Sequence, residues 1–499
     1  MRSMTYDYIR ETKSDDIHRT RYSTSDPYSL VSSTPEKLSA MHSFLRPKFR
    51  HFVTTLILCS AQALAASEKL SLVEDTTPGR LTKVQVALEV TGELKINADG
   101  KKVIPLAILG KGELLYDEKL VSVPDNDTSL RAARYYHAAA AQSRVGDKDV
   151  TATLGKERRL IGVLAEESKV TLNSYSTSGP LTSDELELID VQANSLLLHR
   201  LLPSTEVSVG DTWTHDEKLA AALFGFDVVI KNSLESVLKR VEGKIVHIEL
   251  TGSTSGSVGG ISSEVEANAK YSYDLDKRCI TWLAMSIKEN RAVGHAEPGF
   301  DLTGRLRVSI TPTKEAAPEL AADLPRDSAA WLTFKSQEGG FLLVHDRNWR
   351  LMIDRHDVTV LRFIDRGELV AQCNISRLPD AAEKKQLAMT SFQTDIQRVL
   401  DKNFGQFVDS AESKSERGLR VLRTVVSGIS ADLPIQWTYY HLTDDKGRQA
   451  SLVFTMDAKL VERFGGADQA IVSTFTLVDR EVKPTAAASK PTVSEKKKR

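Results

Sequence analysis

Hydrophobic and polar residues alternate strictly along several long stretches between residues 81 and 312. In residues 264–273, the odd-numbered positions are Val, Ala, Ala, Tyr and Tyr, whereas the even-numbered positions are Glu, Glu, Asn, Lys and Ser. Residues 302–310 repeat the pattern. A period of two places successive side chains on opposite faces of a strand. The pattern therefore predicts a curved antiparallel meander of long, twisted strands with one face exposed to water.

Turn-forming residues separate the alternating runs at 97–100, 242–243, 252–260 and 274–277. Glycine, asparagine and aspartate favour such turns because they tolerate positive φ angles. Two short helices are predicted over the sheet, one that begins at Ser183, with Ser183 as its cap, and one at 215–223. The concave face of the sheet is then either filled by packed side chains or open to an apolar ligand.

From residue 328 the pattern becomes a mixture of strands and helices. Strands are predicted at 331–335, 340–345, 350–354, 358–364, 369–375, 419–425, 435–442 and 451–456. A helix is predicted at 381–400, with Met389, Phe392, Ile396 and Val399 on one face. Two short helices follow at 458–464 and 467–475. The predicted fold class is mostly β and α+β: a curved antiparallel half-barrel with short helices, then an α+β domain on an antiparallel sheet.

A secretory signal peptide is predicted at 41–65. Three basic residues at 46–50 form a positive flank, residues 52–58 form an apolar run, and Ala63-Leu64-Ala65 supplies the small residues of a cleavage site. An uncleaved anchor is the alternative, but polar residues interrupt the run, and a spanning helix needs roughly 20 apolar residues. We therefore expect an exported protein, periplasmic or extracellular, with no integral membrane span after cleavage.

Composition divides the chain into six predicted segments. Residues 1–40 lack a folding pattern and are predicted to be disordered and upstream of the true start at Met41. The predicted boundaries are 41–65 for the signal peptide, 66–312 for the curved β domain, 313–327 for a proline- and alanine-rich linker, 328–480 for the α+β domain and 481–499 for a disordered basic tail.

Charge and cysteine content narrow the classes of function. The chain has 66 Lys and Arg residues against 67 Asp and Glu residues, a net charge of −1. Nucleic-acid binding needs a clustered basic face, so this balance gives no argument for a nucleic-acid partner. Cys279 and Cys373 lie in different predicted domains. They either pair, which requires the domains to dock, or remain two separate buried thiols.

The phrase Leu202-Pro203 followed by Val207-Ser208-Val209-Gly210-Asp211-Thr212-Trp213 resembles a motif of uncharacterised exported bacterial β-domains. Those domains look like the half-barrels of lipoprotein carriers, so the resemblance implies a curved sheet at about 70–312. Physically, Gly210-Asp211 suits a turn, and Trp213 suits a large apolar plug.

The second half of the chain resembles the PsbP-like family. The residues that carry the resemblance are Gly340-Phe341, Asp346-Arg347-Asn348-Trp349-Arg350, Leu361-Arg362, Gly367, Ala371-Gln372-Cys373-Asn374-Ile375, Trp437-Thr438-Tyr439-Tyr440, Gly447-Arg448-Gln449, Leu452-Val453-Phe454-Thr455, Phe464, Asp468, Val472 and Ser473-Thr474-Phe475. The family contains binders and assembly factors, including a photosystem extrinsic subunit. The resemblance therefore implies a binding module.

Candidate site residues are few. Trp437, Tyr439 and His441 share one face of a predicted strand, and aromatic side chains with polar tips are favoured at interfaces. The alternative is that they pack the sheet against its helices. The histidines after residue 65 show no spacing typical of a metal site, and no nucleophile or phosphate-binding motif occurs. We therefore assign no catalytic residue, no metal ligand and no cofactor.

These patterns favour an exported, non-catalytic binding or assembly protein of the bacterial cell envelope, with an unknown protein partner or apolar ligand. The alternatives are a hydrolase whose site assembles from dispersed residues, and a spacer whose domains only position the basic tail.

Overall fold

The computed structural model describes residues 68–97, 102–121, 130–165, 172–294, 298–322, 324, 331–381 and 386–479. The predicted signal peptide, the segment before it, residues 98–100 of the first predicted turn and the basic tail lie outside the described residues.

Thirteen strands form one large antiparallel sheet in the N-terminal region, residues 68–324. They are β1 (Leu81–Asn97), β2 (Val103–Val121), β3 (Leu130–Val145), β4 (Lys148–Thr153), β5 (Leu160–Ala165), β6 (Leu172–Ser176), β7 (Thr212–Thr214), β8 (Val228–Asn232), β9 (Glu235–Glu242), β10 (Ile245–Val258), β11 (Ile261–Asp274), β12 (Cys279–Arg291) and β13 (Gly299–Pro312). The main order is β6-β5-β3-β2-β1-β13-β12-β11-β10-β9-β7, with β4 beside β3 and β8 beside β10. The sheet is open, since β6 and β7 at its two ends do not pair with each other. It consists of two meanders that join where β1 pairs with β13.

The inner face of this sheet is apolar, and the outer face is mostly polar. Val265, Ala267, Ala269, Tyr271 and Tyr273 of β11 are all buried, while their even-numbered neighbours from Glu264 to Lys270 are exposed. The alternation predicted for this strand is therefore confirmed, and so is the mostly β, antiparallel fold class.

Residues 181–226, here called the covering segment, fill the inner face. The segment contains helix α1 (Ser183–Ile189), a 3-10 helix (Ser195–Leu201) and helix α2 (Glu217–Phe224). Its buried leucines and Phe224 belong to the same hydrophobic core as the inner-facing side chains of the sheet. Two details differ from the sequence prediction: Thr182, not Ser183, caps α1 through a capping box with Glu185, and α2 begins at Glu217 after its cap Asp216.

Residues 313–322 run over the outer face of the sheet. The 3-10 helix Pro318–Ala321 buries Leu320 against Ala133, and the Asp117 carboxylate accepts a hydrogen bond from the Ala317 N–H. The described part of the predicted linker is thus packed on the sheet.

The C-terminal region, residues 331–479, contains two smaller antiparallel sheets. The three-stranded sheet comprises β14 (Trp331–Ser336), β15 (Phe341–Asp346) and β23 (Thr476–Leu477). The seven-stranded sheet has the order β16-β17-β18-β22-β21-β20-β19. Its strands are β16 (Trp349–Asp354), β17 (Thr359–Asp365), β18 (Glu368–Leu378), β19 (Phe404–Lys414), β20 (Arg420–Ser430), β21 (Leu433–Thr443) and β22 (Gln449–Asp457).

Both faces of the seven-stranded sheet are covered. Helix α3 (Met389–Leu400) packs on one face, and the three-stranded sheet with helices α4 (Val461–Phe464) and α5 (Asp468–Thr474) packs on the other. Trp349, Phe363, Phe454 and Phe464 stack edge-on or tilted at the centre of the second core.

Three sequence predictions need correction. The Gly/Ser-rich residues 252–258 are not a loop but the end of β10, and the turn comprises Gly259 and Gly260. Helix α3 begins at Met389, whereas the helix was predicted to begin at residue 381; residues 386–388 are not helical. Val399 is 71% exposed; the buried face of α3 is Phe392, Ile396 and Leu400, at a spacing of four residues.

None of the helices in the described ranges combines the length and the apolar character that crossing a bilayer requires.

Candidate functional site

The predicted candidates Trp437, Tyr439 and His441 lie side by side on one face of β21, as the alternation predicts. Trp437 and Tyr439 belong to the core under α3, and the His441 ring lies 6.0 Å from the ring of Phe392 in that helix. Their exposed fractions are 7%, 9% and 4%. The three residues therefore pack the sheet against its helix, and their role in partner recognition stays a prediction.

The electrostatics of this trio fit a buried packing site. Burial raises the pKa of Tyr439 to about 12 and lowers the pKa of His441. The His441 Nε2 atom lies 2.7 Å from the Gln449 Oε1 atom, so the imidazole has a partner within the sheet. Both shifts favour the neutral form of the side chain, as expected for groups removed from water.

A second group of polar residues is buried in the N-terminal region, and here the residues are charged. Glu118 of β2 and Arg134 of β3 are direct cross-strand partners, and their side chains point to the inner face. The Arg134 Nε–H donates a hydrogen bond to Glu118 Oε2 at 2.7 Å, and the guanidinium is 1% exposed. A buried ion pair needs further hydrogen bonds to offset its desolvation.

The covering segment supplies those hydrogen bonds. The Arg134 Nη2–H donates to Ser195 Oγ at 2.9 Å and to the side-chain oxygen of Asn194, while Ser195 Oγ–H donates to Glu118 Oε2 at 2.8 Å. The Tyr116 hydroxyl lies 3.1 Å from Ser195 Oγ, and the Arg134 guanidinium lies over the Tyr116 ring. Burial raises the pKa of Tyr116, so the phenol stays protonated. These contacts form the buried polar cluster, defined as Tyr116, Glu118, Arg134, Asn194 and Ser195.

A β-bulge brings the cluster together. The register between β2 and β3 shifts at Leu115 and Tyr116, and His137 is the extra residue. Because a shift of one residue exchanges the two faces of a strand, the bulge changes which side chains of β3 face the core. His137 instead points outward, where its Nε2 atom lies 2.9 Å from the Asp117 carboxylate.

A cavity of about 30 Å³ borders the cluster and is lined by Glu74, Arg80, Glu118, Ser195 and His199, among others. One water needs about 10–15 Å³ on this measure, so the space suits about two waters. Burial raises the pKa of Glu74, although the Arg80 guanidinium at 3.0 Å acts in the opposite direction.

The hydrogen bonds of the cluster do not activate Ser195 as a nucleophile. Such a serine needs an adjacent base that takes its proton. The Glu118 Oε2 atom is the acceptor, but the same oxygen also accepts a hydrogen bond from the Arg134 Nε–H, so it is already engaged with a cation. The cluster is therefore arranged to hold the covering segment in place.

A second anchor of the covering segment lies at the carbonyl oxygen of Leu201. The Trp213 indole N–H and the Tyr271 hydroxyl both donate to this oxygen at 3.0 Å. The Tyr271 hydroxyl also contacts Ser236 Oγ, which lies 2.8 Å from the His215 Nε2 atom. Trp213, the last residue of the Val-Ser-Val-Gly-Asp-Thr-Trp motif, thus has a structural role.

A shallow surface depression of about 380 Å³ lies beside Arg80 and Lys277. Its charged groups are paired within the chain: Asp75 accepts hydrogen bonds from Thr77, and Lys277 lies 3.0 Å from Asp274. In the described part of the chain, no three His, Cys, Asp or Glu side chains are grouped so that they could hold a metal ion. Cys279 and Cys373 are both buried and unpaired.

The buried polar cluster is not evident from the spacing of residues along the chain. Glu118 and Arg134 stand among many charged residues in an alternating pattern, and their inward direction depends on the bulge. One signal was present: Glu118 lies between Tyr116 and Leu120, which share its face of the strand. A charge at an apolar position of an alternating run is a sign of a buried ion pair.

A scan against models of protein families and a search of curated proteins both find no match. A search of solved structures finds a lipovitellin structure on lipid–protein interactions, with a TM-score of 0.31 and 10% identity over 66% of this chain and 32% of that one. This chain thus spans about a third of the lipovitellin chain. Salmonella typhi OmpF in complex with daunomycin has a TM-score of 0.13 and 8% identity over 76% and 96% of the two chains. Kievitone hydratase from Nectria haematococca has a TM-score of 0.14 and 7% identity over 79% and 94%. At these values none of the three similarities carries an argument about fold or function.

Proposed function

We propose that this chain is an exported two-domain binding or assembly protein of the bacterial cell envelope that acts by contacting a protein partner. One observation carries the proposal. The concave face, where a carried ligand would sit, is filled by the covering segment, whereas the edge strand β19 presents a long open edge.

Strand β19 has eleven residues and pairs with β20 along one edge. Within the described residues, no strand pairs with its other edge. An extended peptide can bind such an edge as an added strand, with backbone hydrogen bonds supplying affinity. Two bulges interrupt the first half of β19, so the regular stretch 409–414 is the part that suits pairing.

Side chains along this edge are also accessible. Val408 is 56% exposed, and Ile429 on the neighbouring strand is exposed as well. Exposed apolar side chains beside a free edge favour a protein partner over a small polar ligand.

Export rests on the predicted signal peptide at 41–65. The carrier-like assignment of the first domain and the PsbP-like assignment of residues 328–480 rest on their sequence motifs. The C-terminal region has an antiparallel sheet with one long helix on one face and two short helices on the other. This arrangement supports the PsbP-like assignment. Binding modules are the common theme of both resemblances.

The test is crosslinking of the full chain in a bacterial envelope fraction, followed by recovery of crosslinked proteins. We expect one protein to be recovered with the natural chain and at least about fivefold less with Val408→Lys, because Val408 directly precedes the regular stretch 409–414 and a lysine beside a free edge discourages strand addition. Val399→Lys, on the exposed side of α3, is the matched control and should not reduce recovery. Equal recovery with all three chains would contradict the role of β19, and recovery of lipid alone would contradict a protein partner.

A further inference from the structure

Two hairpin turns from different regions of the chain touch through their glycines. The turn Gly259-Gly260 connects β10 to β11, and the turn Arg366-Gly367 connects β17 to β18. A Cβ atom added to Gly260 would lie 2.4 Å from the Gly367 Cα atom, and one added to Gly367 would lie 2.6 Å from the Gly260 Cα atom. Both distances are far below van der Waals contact, so only glycine fits on either side.

Each turn is held by a side chain of its own region. The Asp227 carboxylate accepts hydrogen bonds from the backbone N–H groups of Gly259 and Gly260. In the other turn, Arg463 of α4 donates to the side chain and the carbonyl of Asp365, at 2.6 Å each, and also to Glu368. The two contacting surfaces are therefore preorganised, which lowers the entropy lost when they meet.

A second contact between the regions lies elsewhere on the large sheet. Leu332 of β14 is buried in the N-terminal core, and the Thr333 N–H donates to the Leu181 carbonyl at 2.8 Å. The Arg347 Nη2–H donates to the Ser174 carbonyl at 2.7 Å. Ser174 belongs to β6 at one end of the sheet order, whereas β10 and β11 lie near the other end.

From this arrangement we infer that the glycine contact is a latch that fixes the orientation of the C-terminal region against the large sheet. The contact at Leu332 alone forms one attachment, about which the C-terminal region can pivot. A second attachment, on the far half of the sheet, removes that freedom. The latch thus keeps β19 in a constant position relative to the N-terminal region, and it does so without a side chain on either side.

The test uses Gly260→Asn and Gly367→Asn in the full chain. Asparagine tolerates the positive φ angles of these turns, +75° and +77°, so each hairpin keeps its shape while a Cβ atom enters the contact. Gly243→Asn is the matched control, since Gly243 also has a positive φ, of +61°, in a hairpin of the same sheet and has open space around it. Circular dichroism confirms that each variant retains its strands.

The readouts are thermal unfolding and small-angle X-ray scattering. We expect one cooperative transition for the natural chain and for Gly243→Asn, and two separated transitions with a larger maximum dimension for Gly260→Asn and Gly367→Asn. If both latch variants behave as Gly243→Asn does, the inference is wrong.

Arg463→Gln provides an independent variant, because it loosens the 365–368 turn without adding an atom to the contact. We expect it to separate the two transitions as well, by a smaller temperature interval. The latch is contradicted if Arg463→Gln unfolds in a single transition and either asparagine variant behaves as Gly243→Asn does.

Discussion

The two large sheets of this molecule are covered by helices in different ways. The covering segment on the N-terminal sheet combines apolar packing with buried hydrogen bonds, through the cluster around Arg134 and through the Leu201 carbonyl. Helix α3 on the C-terminal sheet relies mainly on apolar side chains, and its polar contacts with the sheet include those of Gln393 with Ser410 and of the Met389 sulfur with the Thr424 hydroxyl. Hydrogen bonds with fixed geometry define one position, whereas apolar contact is less directional. The difference predicts that substitution of a polar residue under the covering segment destabilises the protein more than substitution of an apolar residue under α3.

Loss of the buried cation should have the largest effect. In Arg134→Met, the Glu118 carboxylate is left buried without its partner, which costs about 3–5 kcal/mol of unfolding free energy. Urea unfolding of the full chain measures this loss. The double variant Arg134→Met with Glu118→Gln should recover part of it, because a neutral amide is less costly to bury than a charge. A loss below about 1 kcal/mol in the single variant would show that the cluster does not anchor the segment.

Truncation under α3 should have a somewhat smaller effect. Ile396→Ala removes buried apolar atoms and leaves a cavity, at a cost of about 2–4 kcal/mol in the same urea experiment. Val399→Ala, on the exposed side of the helix, should change stability by no more than about 0.5 kcal/mol. Comparable losses in the two variants would mean that α3 packs through a different face.

Acid should weaken the covering segment through His215, and this is the smallest of the three effects. Burial lowers the pKa of His215 to about 4, with the Asp216 charge acting weakly in the opposite direction. Between pH 6.5 and about 4, the unfolded chain binds a proton at this residue and the folded chain does not, so stability falls as the pH falls through this window. We expect the natural chain to lose about 2 kcal/mol more than His215→Gln between pH 7 and pH 4. His345 and His441 also have lowered pKa values, but they contribute equally to both chains. Parallel pH profiles would contradict this role of His215.

The alternation of hydrophobic and polar residues predicted strands correctly where one face of a strand is exposed to solvent. The alternating run at 264–273 follows from it, and so do strands β14 to β18 and β20 to β22, whereas β19 was not predicted. It was less successful with the Gly/Ser-rich end of β10, because small residues in a strand resemble a loop in composition. It also placed Val399 on the buried face of α3, since a spacing of three or four residues leaves two choices at the end of a helix.

The candidate site shows a different limit. Trp437, Tyr439 and His441 were placed correctly on one face, but a single sequence does not say whether a helix covers that face. The pairing of Glu118 with Arg134 depends on long-range register and on the bulge at His137. Register and bulge are not readable from local sequence, so the partner of Glu118 could not be identified, although the position of Glu118 between Tyr116 and Leu120 indicates that it is buried.

Among the described residues, each half of the molecule contains one unpaired, buried thiol that can report when that half unfolds. Cys279 lies in the N-terminal sheet and Cys373 in the C-terminal sheet, and both are fully buried. Burial raises the pKa of Cys279 to about 11 and also raises the pKa of Cys373, so little thiolate exists at neutral pH. Because the thiolate is the reactive form, each thiol reacts with an alkylating agent only after its own half of the molecule unfolds. The rate at which each cysteine is alkylated therefore records how often that half unfolds, in the natural sequence and without an added label.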